Sequence, residues 1–82
     1  MSKATKKQID KLTELYQSLI NKDSNEPFKN GLLTYCSQIL FDIDPNSQFY
    51  IDLRYRYNAK NYPSSLAIVH NAIAYYTEFS EK

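Results

Sequence analysis

The residues that most often carry chemistry are scarce in this 82-residue chain, which holds one cysteine, Cys36, and one histidine, His70. A structural zinc site uses about four Cys or His ligands at short spacings, and nucleophilic catalysis needs a nucleophile beside a base. One cysteine and one histidine are too few for a zinc site or a catalytic triad. The two side chains could still meet in space as a Cys–His pair. We expect Cys36 to be a buried thiol in a reducing compartment and His70 to be an ordinary helix residue.

Nucleotide and metal chemistry also lack their usual motifs. Phosphate-binding loops need several glycines, and the chain has one, Gly31. Asp42 and Asp44 could bind a cation or share a proton, but their position at a helix junction favours a helix end followed by a cap residue. The sequence therefore predicts no catalytic residues, no cofactor and no metal site.

The clearest binding signal is the segment Arg54-Tyr55-Arg56-Tyr57, followed by Lys60 and Tyr62. Interleaved Arg and Tyr side chains can contact phosphates and stack on bases, but a net charge of +1 and only three cations in this segment disfavour nucleic acid. Tyrosine offers a large rigid area with a polar tip, which favours a protein interface. The expected partner-binding residues are Arg54, Tyr55, Arg56, Tyr62 and Tyr75.

The other five tyrosines are interpreted as structural. Tyr75 and Tyr76 are neighbours on one predicted helix, about 100° apart around its axis, so both cannot face a narrow core. We expect Tyr75 to be the partly exposed one. The tyrosines assigned to the bundle interior are Tyr16, Tyr35, Tyr50, Tyr57 and Tyr76.

The elements that must position these residues are predicted to be four helices, at about 6–22, 26–43, 45–59 and 63–80. Composition supports this, since 43% of residues are hydrophobic and only one is glycine, too few for a turn-rich β fold. Apolar residues recur at helical spacing in each segment. The start signals are a capping box formed by Thr5 and Gln8, and prolines at or near a first helical position: Pro27, Pro45 and Pro63.

The third segment is ambiguous, because residues 49–57 are rich in aromatic residues and alternate well enough for a strand. With that segment helical, short connections between amphipathic helices favour antiparallel neighbours. The sequence therefore predicts an all-α fold, an antiparallel up-and-down four-helix bundle, in a single domain spanning residues 1–82.

The location expected from the sequence is cytoplasmic. No apolar run approaches about 18 residues, and the N-terminus leads into an amphipathic pattern instead of a signal-peptide core. Five lysines among residues 1–22 form a basic face that could rest near an anionic membrane surface.

The segments at 7–20, at 52–57 and at 66–73, together with the break at Pro63, resemble the immunity proteins of pediocin-like (class IIa) bacteriocins. The resemblance spans most of the chain at the level of helix order, and the segment at 7–20 matches best. It implies a cytosolic four-helix bundle that protects a bacterium from its own membrane-permeabilising peptide.

The partner that the resemblance implies is a membrane receptor, the mannose phosphotransferase permease, with bacteriocin docked on it. In this family partner specificity lies mainly in the C-terminal half, here residues 54–82. The chain departs from the family by ending just past the fourth helix. The alternatives are a small phage- or plasmid-type regulator or adaptor that binds a cytosolic protein or nucleic acid.

Overall fold

The computed structural model describes residues 3–21 and 26–79, and all regular secondary structure in these two ranges is helical. The prediction of an all-α fold with four helices is confirmed, and the strand alternative for residues 49–57 is wrong. The helices are α1 (Lys6–Ile20), α2 (Glu26–Ile43), α3 (Gln48–Asn58) and α4 (Tyr62–Glu78).

Helix α1 begins at the predicted capping box. The side chain of Thr5 accepts a hydrogen bond from the Gln8 backbone N–H at 3.1 Å, and Oε1 of Gln8 accepts one from the Thr5 backbone N–H at 2.9 Å. Two N–H groups that the helix itself cannot pair are thereby satisfied. The helix ends at Ile20. The predicted end at Lys22 and the predicted cap segment of α2 at 23–25 lie outside the described residues.

Helix α3 begins at Gln48, so the prediction that Asp44 caps a helix starting at Pro45 is wrong. The carboxylate of Asp44 accepts a hydrogen bond from the Asn46 backbone N–H at 3.0 Å, which closes a local turn. Ser47 then caps α3, accepting a hydrogen bond from the Phe49 backbone N–H at 3.2 Å. Aspartate is as suited to this turn as to a cap, and the Asp-Pro pair alone does not separate the two.

The connection from α3 to α4 is a tight reversal. Lys60 has a positive φ of 59°, the Lys60 N–H donates to the Tyr57 carbonyl, and the Asn61 N–H donates to the Arg56 carbonyl. This pair of bonds is the Schellman arrangement, in which glycine is the usual left-handed residue. Asn61 also caps α4, which begins at Tyr62, one residue earlier than the predicted start at Pro63.

The core lies among all four helices. Each helix packs against its sequence neighbours, and α1 also packs against α4, so the four form a closed ring around shared apolar side chains. Among the described residues, no helix is both long and apolar enough to cross a bilayer. The buried hydrophobic residues are Ala4, Leu12, Leu15, Leu19, Leu33, Cys36, Leu40, Ile43, Leu53, Val69, Ala72 and Tyr76.

Candidate functional site

Arg54 and Tyr50 form a pair on α3. They are four residues apart, which places their side chains on the same side of the helix. A terminal nitrogen of Arg54 donates a hydrogen bond to the Tyr50 hydroxyl at 3.0 Å, and the guanidinium carbon lies 5.8 Å from the centre of the Tyr50 ring. The hydrogen bond raises the pKa of Arg54 above its ordinary value. Arginine stays positively charged at every physiological pH, and the Tyr50 hydroxyl is the side-chain group that Arg54 contacts within its own helix.

A groove between α2 and α3 adjoins this pair. On its α2 side Phe41 meets Tyr50 edge to face, with ring centres 5.2 Å apart. The groove has a volume of about 540 Å³, within the range of roughly 300–1,000 Å³ typical of ligand pockets. We call it the α2–α3 groove, and its lining residues are Thr34, Ser37, Gln38, Phe41, Asp42, Tyr50, Arg54 and Tyr57.

The groove carries one charge of each sign, Arg54 on α3 and Asp42 on α2. Within residues 3–21 and 26–79 the ion pairs are Lys6–Asp10 and Lys11–Glu14, so neither groove charge is paired there. A charge without an internal partner remains available to a group of opposite sign on another molecule. The groove therefore combines aromatic surface with two charges that can fix the orientation of a partner.

Tyr55 and Arg56 do not line the groove, although both were predicted to be binding residues. Successive residues turn by about 100° around a helix, which directs these two side chains away from Arg54. Tyr55 is 67% exposed, and the Arg56 guanidinium lies 5.5 Å from the centre of its ring. Ile51, one turn before Tyr55, is 49% exposed, so the outer face of α3 adds apolar surface beside the groove.

Tyr62 and Tyr75 lie in separate places. The Tyr62 hydroxyl donates a hydrogen bond to Oδ1 of Asn30 at 2.9 Å, which ties α4 to α2. Tyr75 is half-buried in an aromatic cluster, with its ring centre 5.5 Å from that of Phe49 and 4.8 Å from that of Phe79. The two tyrosines are thirteen residues apart on α4, about 20 Å along its axis. The five predicted residues thus do not form one patch.

The groove also contains aromatic residues that were assigned to the interior. Tyr50 and Tyr57 are half-buried and line it, while Tyr76 is buried as predicted. Tyr35 was expected to be structural but is 57% exposed on the outer face of α2, because Leu33 and Cys36 face the core from that turn. The sequence signal for the groove was the four-residue spacing of Tyr50 and Arg54, which marks a contact on a helix but not on a strand.

Cys36 and His70, the two side chains that could carry chemistry, do not line the groove. Cys36 is fully buried, and desolvation raises its pKa to about 12, so the thiol is protonated at neutral pH. His70 is exposed on α4, with its ring centre 5.7 Å from that of Tyr16. Across the described part of the molecule, no three His, Cys, Asp or Glu side chains are placed to hold a metal ion.

No protein-family model matches the chain, and neither a curated protein nor a solved structure is significantly similar to it.

Proposed function

We propose that this protein is a protein-binding module that recognises its partner through the α2–α3 groove. The observation that carries the proposal is Arg54, hydrogen-bonded to Tyr50 and without an ion-pair partner among the described residues, beside the partly exposed aromatic ring of Phe41. Arginine next to aromatic side chains is the composition found where protein interfaces contribute most binding energy. Binding, without any bond made or broken, is the mode of action.

The bundle is proposed to be antiparallel and up-and-down, as the sequence predicts. Supporting this are the packing of each helix on its sequence neighbours and the short connections at 44–47 and 59–61, which leave few residues for a crossover. In such a bundle α2 and α3 are adjacent and fixed by the shared core. The groove is then a preformed surface, which lowers the entropy cost of binding.

The specific role that we propose is immunity to a pediocin-like bacteriocin. The protein would act in the cytoplasm, beside the membrane, by binding the permease on which the bacteriocin has docked. Support comes from the resemblance of the segments at 7–20, 52–57 and 66–73 and from the four-helix architecture. Mechanistically, a rigid bundle whose aromatic groove carries Arg54 and Asp42 would occlude the cytosolic side of the receptor and stop a pore from remaining open.

A survival assay tests this role. The protein is expressed in a bacterium sensitive to several class IIa bacteriocins, and survival is compared with that of cells carrying the empty vector. Protection against one or a few of the peptides is the expected result, because immunity proteins of this type are selective. Equal survival with and without the protein across the panel, with folded protein abundant in the cells, would contradict the role.

The competing proposal is a regulator or adaptor that binds nucleic acid or a cytosolic protein. Arg54, Arg56 and Lys60 would supply the phosphate contacts of a nucleic-acid regulator, but Arg54 and Arg56 lie against different tyrosines on different sides of α3. Binding to nucleic acid through three cations would weaken steeply with added salt. Salt-insensitive binding to a protein partner would favour an adaptor.

A further inference from the structure

A second cavity lies where the connection between α2 and α3 meets the last turn of α4. Its volume is about 320 Å³, and none of its lining residues lines the α2–α3 groove. We call it the aromatic pocket, because Phe49, Tyr75 and Tyr76 line it together with polar residues of the connection. We propose that the aromatic pocket binds a small organic cation with a trimethylammonium group, placed against the rings of Phe49 and Tyr75 and beside Asp44.

The three aromatic rings of the pocket contact one another at steep angles. The ring centre of Phe49 lies 5.5 Å from that of Tyr75 and 5.8 Å from that of Tyr76, and the two tyrosine rings are 5.2 Å apart, with planes inclined by 55–86°. A parallel stack covers two ring faces at once, whereas a steeply inclined contact covers at most one. Tyr76 is 3% exposed and the other two rings are half-buried, so Phe49 and Tyr75 offer the accessible faces. The face of an aromatic ring attracts a cation placed over it.

Asp44 supplies the charge of the pocket, since no other described residue that lines it is ionised at neutral pH. Oδ1 of Asp44 accepts the hydrogen bond from the Asn46 backbone N–H at 3.0 Å, while no described donor binds Oδ2. The turn therefore orients the carboxylate and leaves one of its oxygens to a ligand. Asp44 is half-buried, so its attraction for a cation is screened less than that of a fully exposed carboxylate.

The helix ends at the pocket also favour a cation. Helix α2 ends at Ile43, immediately before Asp44, and the last turn of α4 contains the two tyrosines of the pocket. The C-terminal end of a helix carries about half a negative elementary charge, and the N-terminal end the opposite. The N-terminal end of α3 lies at the pocket too, but its Phe49 N–H is bound by Oγ of Ser47. Two negative ends against one capped positive end disfavour an anion.

The kind of cation follows from the ratio of rings to oxygens in the pocket. A calcium ion takes about six to eight oxygen ligands, and no three acidic, His or Cys side chains of the described residues are grouped to hold a metal. A primary ammonium is strongly hydrated and has three N–H donors that need acceptors. A trimethylammonium group has no N–H donor and places methyl groups on ring faces, the mode in which quaternary ammonium ligands are recognised. A volume of about 320 Å³ suits a small ligand.

The test compares choline with 3,3-dimethylbutanol, which has the same shape but carries carbon in place of the charged nitrogen. Each compound is titrated into the full-length protein, and binding is followed by the chemical shifts of backbone amides and aromatic rings. Saturable binding of choline is expected, with a dissociation constant on the order of 1 mM and shifts centred on residues 44–49 and 75–76. The uncharged compound should bind at least about tenfold more weakly, because it loses the attraction of the rings and of the carboxylate.

Variants of the protein separate the charge from the rings. Asp44→Asn keeps a side-chain oxygen for the turn and removes the charge, so choline binding should weaken about tenfold. Asp10→Asn is the matched control, with the same change in net charge on the exposed side of α1, and should leave the dissociation constant unchanged. Tyr75→Leu removes a ring face and should weaken binding about tenfold, whereas Tyr75→Phe keeps the ring and should bind as the wild type does. Circular dichroism verifies that each variant is folded.

A trimethylammonium group occurs in free small molecules and in phosphatidylcholine headgroups, and cosedimentation with vesicles distinguishes the two sources. Binding to phosphatidylcholine vesicles that free choline displaces would assign the headgroup, and choline binding without vesicle binding would assign a free cation. Three results would overturn the proposal: no saturable choline binding at the pocket, equal binding of choline and its uncharged analogue, or equal weakening by Asp44→Asn and Asp10→Asn.

Discussion

The hydroxyl of Tyr76 on α4 donates a hydrogen bond to Oγ of Ser47 at 3.2 Å, and Ser47 is the residue that caps α3. Both residues are buried, with 3% and 7% of their surface exposed. The start of α3 is therefore fixed twice, by its own cap and by a side chain 29 positions away. This contact anchors the start of α3, the helix that carries Tyr50 and Arg54.

Replacing Tyr76 by phenylalanine should lower the free energy of unfolding by about 1 kcal/mol, because the Ser47 hydroxyl then loses a buried partner. Urea denaturation measures the effect. Tyr55→Phe removes a hydroxyl from a tyrosine that is 67% exposed and should change stability by less than about 0.5 kcal/mol. Equal losses in the two variants would mean that the contact to Ser47 does not stabilise the fold.

The helical state of residues 49–57 can be tested by two alanine substitutions. Leu53 is fully buried and Ile51 is 49% exposed. Leu53→Ala should lower the free energy of unfolding by roughly 2–5 kcal/mol, and Ile51→Ala by less than about 1 kcal/mol. In a strand the two side chains would lie on one face, so similar losses, measured by thermal or urea denaturation, would contradict the helix.

The position of a helix could be predicted from the sequence where neighbouring residues are compatible with only one local structure. The capping box of Thr5 and Gln8 and the apolar spacing of α1 are of this kind. The start of α3 was predicted three residues early because Asp44 closes a turn where a cap was expected. The neighbouring residues do not show whether an aspartate closes a turn or caps a helix. The contact that supports Ser47 as the cap comes from Tyr76, which is distant in sequence.

The candidate site was predicted less completely, for a geometric reason. Arg54, Tyr55 and Arg56 are contiguous in sequence, but α3 distributes them around its axis, and only Arg54 reaches the groove. The actual neighbour of Arg54 is Tyr50, one turn earlier. Phe41 could not be assigned to the site before α2 and α3 were known to pack together.

The left-handed residue after α3 offers a stabilising substitution. Lys60 has a φ of 59°, a conformation that costs a residue with a Cβ about 1 kcal/mol relative to glycine. Lys60→Gly should therefore raise the free energy of unfolding by about 0.5 kcal/mol after the added flexibility of the unfolded state is included. Lys60→Ala removes the same charge but keeps the Cβ. A gain in the alanine variant as large as in the glycine variant would contradict backbone strain as the cause.

The buried thiol predicts a dependence of stability on pH. Burial raises the pKa of Cys36 from 9.0 to about 12 in the folded protein. The folded state therefore favours the neutral thiol, which contributes stability below pH 9 that is lost as the pH rises towards 12. The free energy of unfolding should fall more steeply between about pH 8 and about 10.5 in the wild type than in Cys36→Ala, which shares all other titrating groups. Parallel curves would show that the thiol remains accessible to solvent.

The central claim, that the protein acts by binding a partner at the α2–α3 groove, is tested most directly by survival of bacteriocin-sensitive cells expressing the wild type, Arg54→Gln or Arg56→Gln. Both arginines are exposed on α3, so neither substitution should affect folding. We predict that the wild type and Arg56→Gln protect equally and that Arg54→Gln protects no better than the empty vector. Equal protection by all three proteins would contradict the groove as the binding site, and no protection by the wild type against any peptide of the panel would contradict the immunity role.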